Sequence, residues 1–569
     1  MQEKKMYMWP SAWDRPSING TYGAISSNNA YATQAGLNVL RNGGNAFDAA
    51  VAVSLVLSVV EPHHSGIGGG CFTLAYSKQE NAVYALDGRG IAPRNATKDL
   101  FLKDGKVCDE WKDIGGKSVA VPGLLKSLDV LLKKFGTMTM QAVAQDAIKL
   151  SFNGFRTSFT GSITGTDDSV IRKRNTYPAF KKNFMNGDKG YEFGAMQKNE
   201  KLGRLLEKIA TAGVDYFYSG EAAKTIINTI NEHDGCFSYE DMSEYQPKFR
   251  EPVSINYRNA AVYSFPPPGG GCTVLEMLNI LENADIKKAG HNSAQYIHLL
   301  AEAMKIAFAD RSIGLGDPDF IKIDTHKILS KDYAKLQYEH INKTAQEYKP
   351  SIDTAFDEHK GNTSHFSIMD RYGNTVSQTQ TIRDWFGSGI VVDAYGFVLN
   401  NAMSDFSATE GALTSQGLSY GSSNAIAGGK TPISSMSPTI VFKEGAPFMA
   451  IGSAGGPRII TGVLQGIVNA IDFDMEPEQL VDMPYINCLS KQQGIETEFG
   501  ISPDTVAQLQ VALHTIHQVP VHQAMSTMVN CVMKKQDRFY AGRTKRVDGC
   551  AGVLFSSGAS FDGIGFAEI

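Results

Sequence analysis

The sequence predicts an α+β protein, and two kinds of stretch carry that prediction. From Gly361 to Ile382, residues alternate through Asp370, pause at Arg371-Tyr372-Gly373-Asn374, and alternate again from Thr375. Alternation on both sides of a Gly/Asn turn spells two antiparallel strands joined as a hairpin. By contrast, the segments 124–135, 140–152, 202–212 and 222–232 space their apolar residues for one face of a helix. A strand-rich second half therefore succeeds a mainly helical middle.

In chain order, a helix through Ala35, Leu37 and Leu40 stops at Gly43-Gly44, and a very apolar helix runs from there to Val60. That apolar run is too short to cross a bilayer and reads as a buried helix. His63-His64-Ser65-Gly66-Ile67-Gly68-Gly69-Gly70 lacks the Gly-Lys-Ser/Thr ending of a phosphate loop, so its glycines point to close backbone packing. The two histidines have no second cluster of ligand residues and read as a structural pair, with no metal expected. Pro266-Pro267-Pro268-Gly269-Gly270-Gly271 makes a rigid turn into a helix through Leu275 and Leu281, and 302–311 reads as scaffold. The charged segment 324–360 holds one short helix near 333–341. Small residues between Ala408 and Lys430 predict a mobile loop. Gly455-Gly456 precede a further helix, with Pro457 in its first turn.

Bulk properties narrow the function classes. Of 569 residues, 42% are hydrophobic and 20% charged, which leaves ample chain for a large core. A formal charge of −5 with no basic run argues against nucleic acid or an anionic membrane as the main partner. The seven cysteines form no CxxC pair, so neither a disulfide framework nor a zinc site is expected. The first ten residues are charged but lead into no apolar core, so no secretory signal is read and a cytoplasmic protein is expected.

The hairpin, its continuation Phe386-Gly387-Ser388-Gly389-Ile390-Val391 and the run Leu399-Asn400-Asn401-Ala402-Met403-Ser404-Asp405 resemble the small-subunit start of the γ-glutamyltransferase family. These enzymes, also called γ-glutamyltranspeptidases or glutathione hydrolases, are N-terminal-nucleophile hydrolases. Gly43–Ala52, His63–Cys71, Leu86–Pro93, Glu302–Pro318, Pro432–Ile440 and Gly452–Ile460 resemble further signatures of the family, in order along the chain.

The resemblance implies a four-layer αββα sandwich, made as one precursor and self-cleaved between Asn362 and Thr363. Residues 1–362 would form the large subunit and 363–569 the small one. Thr363 would be the nucleophile. A free α-amine with a pKa of about 7.7–8.0 then serves as its base, so no separate histidine is needed. The family's pattern assigns Thr381 a contact to the nucleophile's oxygen and gives Gly455 and Gly456 the oxyanion. Arg89, Ser434 and Ser435 would hold a substrate carboxylate, and Asp405 a substrate ammonium. No cofactor is implied.

Three departures bear on specificity. Arg383 stands where the family commonly has Asn, Ala402 where it has Gln or Glu, and Gly90 where it has Glu after the arginine. An inward Arg383 would repel an ammonium at 4 Å by about 4 kcal/mol at an effective dielectric of 20, whereas pairing with Asp405 would cost little. The expected substrate is a γ-glutamyl amide such as glutathione, with water or an amine as acceptor. The alternative is a carboxylated amide without an α-amine, oxamate-like or glutaryl. A third reading is an unprocessed, non-catalytic binder of small acids.

Overall fold

In the computed structural model, which describes residues 17–348, 362–409, 421–519, 527–546, 548–556 and 558–563, the hairpin lies at the centre of a sheet. Strands β1 (Gly23–Ser27) and β2 (Gly70–Ser77) flank β3 (Asn362–Asp370) and β4 (Thr375–Arg383) in an eight-stranded sheet. All three pairings are antiparallel: Phe366 faces Ser27 on one side and Gln378 on the other, and Thr379 faces Phe72. Every residue of β3 and β4 is buried. The alternation therefore separates two packed faces, not a wet face from a dry one.

One face of the hairpin meets helices. Phe366, Ile368, Val376 and Ile382 join the core formed with α1 (Ala30–Arg41) and α2 (Ala46–Val60). All of α2 is buried, which explains why its sequence is apolar all round. Its start is fixed by a reciprocal cap in which Asn45 and Asp48 each accept the other's backbone N–H. Helices of the middle region complete this layer through Leu125, Leu205 and Ile226.

The other face meets a seven-stranded sheet that contains β5 (Ala446–Gly452). Ser377 Oγ donates to the Ile451 carbonyl at 2.9 Å, and Phe72 stacks on Phe265 at 4.1 Å between the sheets. Gly452 is needed there, since a Cβ would fall 2.1 Å from the His365 ring. Beyond the second sheet, α3 (Gly271–Leu281), α4 (Ala294–Gly314) and α5 (Arg458–Ile471) share a core. The order helix, sheet, sheet, helix is the αββα sandwich that the resemblance implied.

One difference from the sequence reading is local. Pro457 caps α5 from the position before its first turn. The approach 349–361 and residues 410–420 of the expected mobile loop lie outside the described residues. Among the described residues no helix is long and apolar enough to cross a membrane.

Candidate active site

The ladder between β3 and β4 slips at its open end. Asn362 pairs with Arg383 and Ser364 with Gln380, so Thr381 and Ile382 of β4 bulge opposite the single residue Thr363. A bulge re-aims a side chain without ending the strand. Here Thr363 Oγ donates to Thr381 Oγ at 3.3 Å. Thr381 Oγ also accepts the Arg383 N–H at 2.8 Å, and donates its own proton to the Asn362 carbonyl oxygen at 2.7 Å. One donor and two acceptor positions are thereby all used. The carbonyl oxygen that precedes Thr363 and the Thr363 hydroxyl thus meet at one shared partner, Thr381 Oγ. All three residues are buried.

A chain of charges runs away from this point. Arg89 comes directly after the strand Ala82–Gly88, where Asp87 Oδ1 accepts its N–H at 3.0 Å. Its Nε donates to the Pro432 carbonyl at 3.1 Å, and its Nη2 donates to Asp405 Oδ2. The other oxygen of Asp405 accepts Arg383 Nε at 2.9 Å, and Arg383 continues to Asp384. Asn401 Nδ2 completes the chain at Asp384 Oδ2, 2.8 Å away. Two guanidiniums and two carboxylates balance. Burial pulls the Arg89 pKa down. Burial also opposes charge on Arg383, but Asp384 and Asp405 outweigh it and leave its pKa raised. Arg383 has φ +84°, a left-handed conformation rare outside glycine, of the kind that clusters at ligand sites.

Asp405 ends a short turn, Ala402–Asp405, whose first N–H is held by Asn400 Oδ1 at 2.9 Å. Ala402 itself packs with Ala92, Phe101 and Phe406. Ser434 and Ser435 are buried in the segment whose Pro432 carbonyl takes Arg89. Arg311, on α4, donates to the Ser434 carbonyl at 2.7 Å, so the serines sit between two arginines. Sequence reading places Arg311 in the scaffold, and only its charge inside an alanine-rich run hints at more.

Gly455 and Gly456 lie between β5 and α5, with φ of +121° and +61°. Both are buried, and neither backbone N–H has a partner among the described residues. Buried N–H groups are rarely orphaned, and at a helix start they suit an anion. The helix is fixed there by Arg458, whose Nε and Nη2 donate to both oxygens of Glu496 at 3.0 and 2.8 Å. No hydrogen bond among the described residues joins this glycine pair to Thr363.

The histidines read as a structural pair do touch the centre. His64 Nδ1 lies 3.1 Å from the Thr363 carbonyl oxygen. Away from it, ligand atoms of His298, Glu302 and His514 lie within 4.8 Å of one another. The Lys305 ammonium is 2.7 Å from Glu302 and already supplies the cation there.

Residues 32–554 match the family described as Gamma-glutamyltranspeptidase. The glutathione hydrolase proenzyme of Escherichia coli is 36% identical over 537 residues, spanning 93% of this chain and 91% of that protein. The Acylase ACY 1 proenzyme of a Pseudomonas species is 32% identical over 563 residues, spanning 96% and 97%. Cephalosporin acylase from Bacillus halodurans has a solved structure that matches with a TM-score of 0.85 at 26% identity, covering 97% of this chain and 99% of that one. On the extent of these matches, and with an αββα sandwich whose central hairpin carries Thr363 opposite a bulge, the chain belongs to the γ-glutamyltranspeptidase family.

Proposed function

We propose that this chain is a precursor that cuts itself between Asn362 and Thr363, then hydrolyses or transfers γ-glutamyl amides such as glutathione through an acyl-enzyme on Thr363. The observation that carries the reading is the Thr363–Thr381–Asn362 hydrogen-bond chain. In self-cleavage, Thr363 Oγ attacks the Asn362 carbonyl carbon, and Thr381 donates to the oxygen as it gains charge. The C–N bond breaks as the proton given up by Oγ passes to the nitrogen, which frees the Thr363 α-amine and leaves an ester on Oγ. Water then hydrolyses that ester, which yields the Asn362 carboxylate and the Thr363 hydroxyl, with the α-amine already free.

That amine is the base for turnover. It takes the Oγ proton as Oγ attacks the substrate amide, and returns a proton to the departing amine. Gly455 and Gly456 offer their bare N–H groups to the tetrahedral oxyanion. Arg89, Ser434 and Ser435 hold the acyl group's carboxylate, where a planar guanidinium suits the geometry. Water or an amine resolves the ester.

The test is Thr363→Ala, which should leave one full-length chain without activity on a γ-glutamyl anilide. An active wild-type protein whose Asn362–Thr363 bond is intact by mass spectrometry would overturn the reading.

One observation favours a second reading of the acyl group. Both oxygens of Asp405 are engaged by arginines, which weakens its pull on a substrate ammonium. An acyl group with a carboxylate and no amine, such as glutaryl, fits that pocket without competing for Asp405. The full-length similarity to acylases is in keeping with it.

A further inference from the structure

The loop after α2 grips the nucleophile strand at points the proposed reaction does not use. A carbonyl oxygen only accepts, so the bond to Thr363 O puts the proton on His64 Nδ1 and leaves Nε2 bare. Ser364 Oγ donates to Glu61 Oε2 at 2.7 Å and accepts from Ser65 Oγ at 3.2 Å. The loop also holds the end of β4 and the turn beyond it, because Ile382 N donates to His64 O at 3.3 Å and Phe386 N to His63 O at 3.1 Å. Residues 61–65 thus hold Thr363 and the strand that carries Thr381 in one grip.

Two features set this grip apart from ordinary packing. The Cα register between β3 and β4 passes over Thr363, opposite the β4 bulge, and it is there that His64 meets the Thr363 carbonyl. Both ionisable groups are also unfavourable where they sit. Burial pushes the Glu61 carboxyl up to about 7 and the His64 imidazole down to about 4. Around them lie Asn29, His63, Trp385 and Asp548. An apolar or neutral pair would fill the space at less cost, and such groups gather where function holds them.

We propose that His64 is a positioning residue for the nucleophile: its Nδ1–H fixes the rotation of the Thr363 carbonyl, so that Oγ faces the Asn362 carbonyl before the cut and the substrate after it. Glu61 locks the next residue through Ser364. His64 touches neither reacting atom, and the inference rests on Thr363 as nucleophile.

The test uses the full chain with three variants. His64→Phe keeps a ring but removes the donor, His64→Asn restores an N–H near the Nδ1 position, and Thr363→Ala is the control. His64→Phe should mature about tenfold more slowly and lose about as much in kcat, the rate equivalent of one hydrogen bond, with KM within about twofold. His64→Asn should recover most of both. A folded His64→Phe that matures and turns over like wild type overturns the proposal, as does a His64→Asn no better than His64→Phe. Should His64→Phe not fold, Glu61→Gln with Ser364→Ala removes the second grip and leaves no buried charge. Slow maturation with unchanged KM is again expected, and wild-type rates there overturn the proposal. A Thr363→Ala chain that is still cut and active refutes the nucleophile reading itself, whereas one that stays whole confines any failure to His64.

Discussion

Arg383 Nε lies 2.9 Å from Asp405 Oδ1, and Arg89 binds the other oxygen of the same carboxylate. An aspartate held from both sides has little left for an ammonium. A substrate amine must displace Arg383 or bind near two guanidiniums, and either lowers its affinity. The pairing also removes the free cation that would have repelled it outright. On the second reading proposed above, the pocket would then tolerate amine-free acyl groups.

Arg383→Asn with Ala402→Gln should therefore move preference toward γ-glutamyl substrates. Asn accepts the left-handed φ of +84° more readily than most residues, so the backbone is not strained by the change. One regained charge-assisted bond is worth on the order of 1.5–3 kcal/mol, or about ten- to hundredfold in the kcat/KM ratio of γ-glutamyl to glutaryl anilide. A ratio that is high in wild type and unmoved in the double variant would put Arg383 outside substrate reach.

Thr381→Val keeps the shape and removes the hydroxyl. The Asn362 carbonyl and the Arg383 N–H then lose a shared partner. Losing a donor to a developing oxyanion slows reactions by about 100–1000-fold, so maturation tracked by electrophoresis should slow on that scale. Thr381→Ser should mature at close to the wild-type rate. Equal rates for valine and serine would refute the role.

What could be read from the sequence was what is local. Thr363 and Thr381 sit on one hairpin, so alternation and a Gly/Asn turn brought them together. The sequence does not say that the hairpin is central, because its neighbours Gly23–Ser27 and Gly70–Ser77 lie hundreds of residues away. Arg89 and Asp405 were joined only by resemblance, and the bond between Asp405 and Arg383 is a matter of rotamer. His64 and Glu61 went unread for another reason. A histidine pair beside glycines looks structural until the carbonyl it serves, on a strand 299 residues later, is seen. The Arg458–Glu496 fork is likewise invisible to periodicity.

Arg250 links the two segments that carry Arg89 and Ser434–Ser435, the residues proposed to hold the substrate carboxylate. Its Nε meets Asp87 Oδ2 at 2.7 Å and its Nη2 meets Asp317 Oδ1 at 3.3 Å. Asp87 holds the Arg89 N–H, and Asp317 Oδ2 holds the Thr431 N–H at 2.8 Å, just before the serine segment. Arg250→Met would leave two buried carboxylates without their cation, at a cost of about 3–5 kcal/mol. Thermal unfolding should show that loss, and KM should rise more than kcat falls because the carboxylate site loosens. Lower stability with unchanged KM would confine Arg250 to the scaffold.

Glu61 makes a prediction about pH whose sign is fixed by burial. Desolvation raises its folded pKa to about 7 from an ordinary 4.5, against the opposing bond from Ser364. Between those values the folded protein holds a proton that the unfolded chain has lost. Stability from this group is therefore full below about pH 4.5 and is lost as pH rises through about 7. The loss amounts to on the order of 3 kcal/mol, since each pKa step is worth about 1.4. Glu61→Gln can still accept from Ser364 through its amide oxygen, and it has no proton to lose. Titrating groups that do not face Glu61 change both proteins alike and cancel in the difference, while Asp548, whose charge helps raise Glu61, is kept in both. Urea unfolding of both, each in a Thr363→Ala background so that one chain is monitored, should show the glutamine variant gaining on its parent by that amount between pH 5 and pH 8. A gap that stays constant over the same range would mean that water reaches Glu61, and its place against Ser364 would then hold no buried charge.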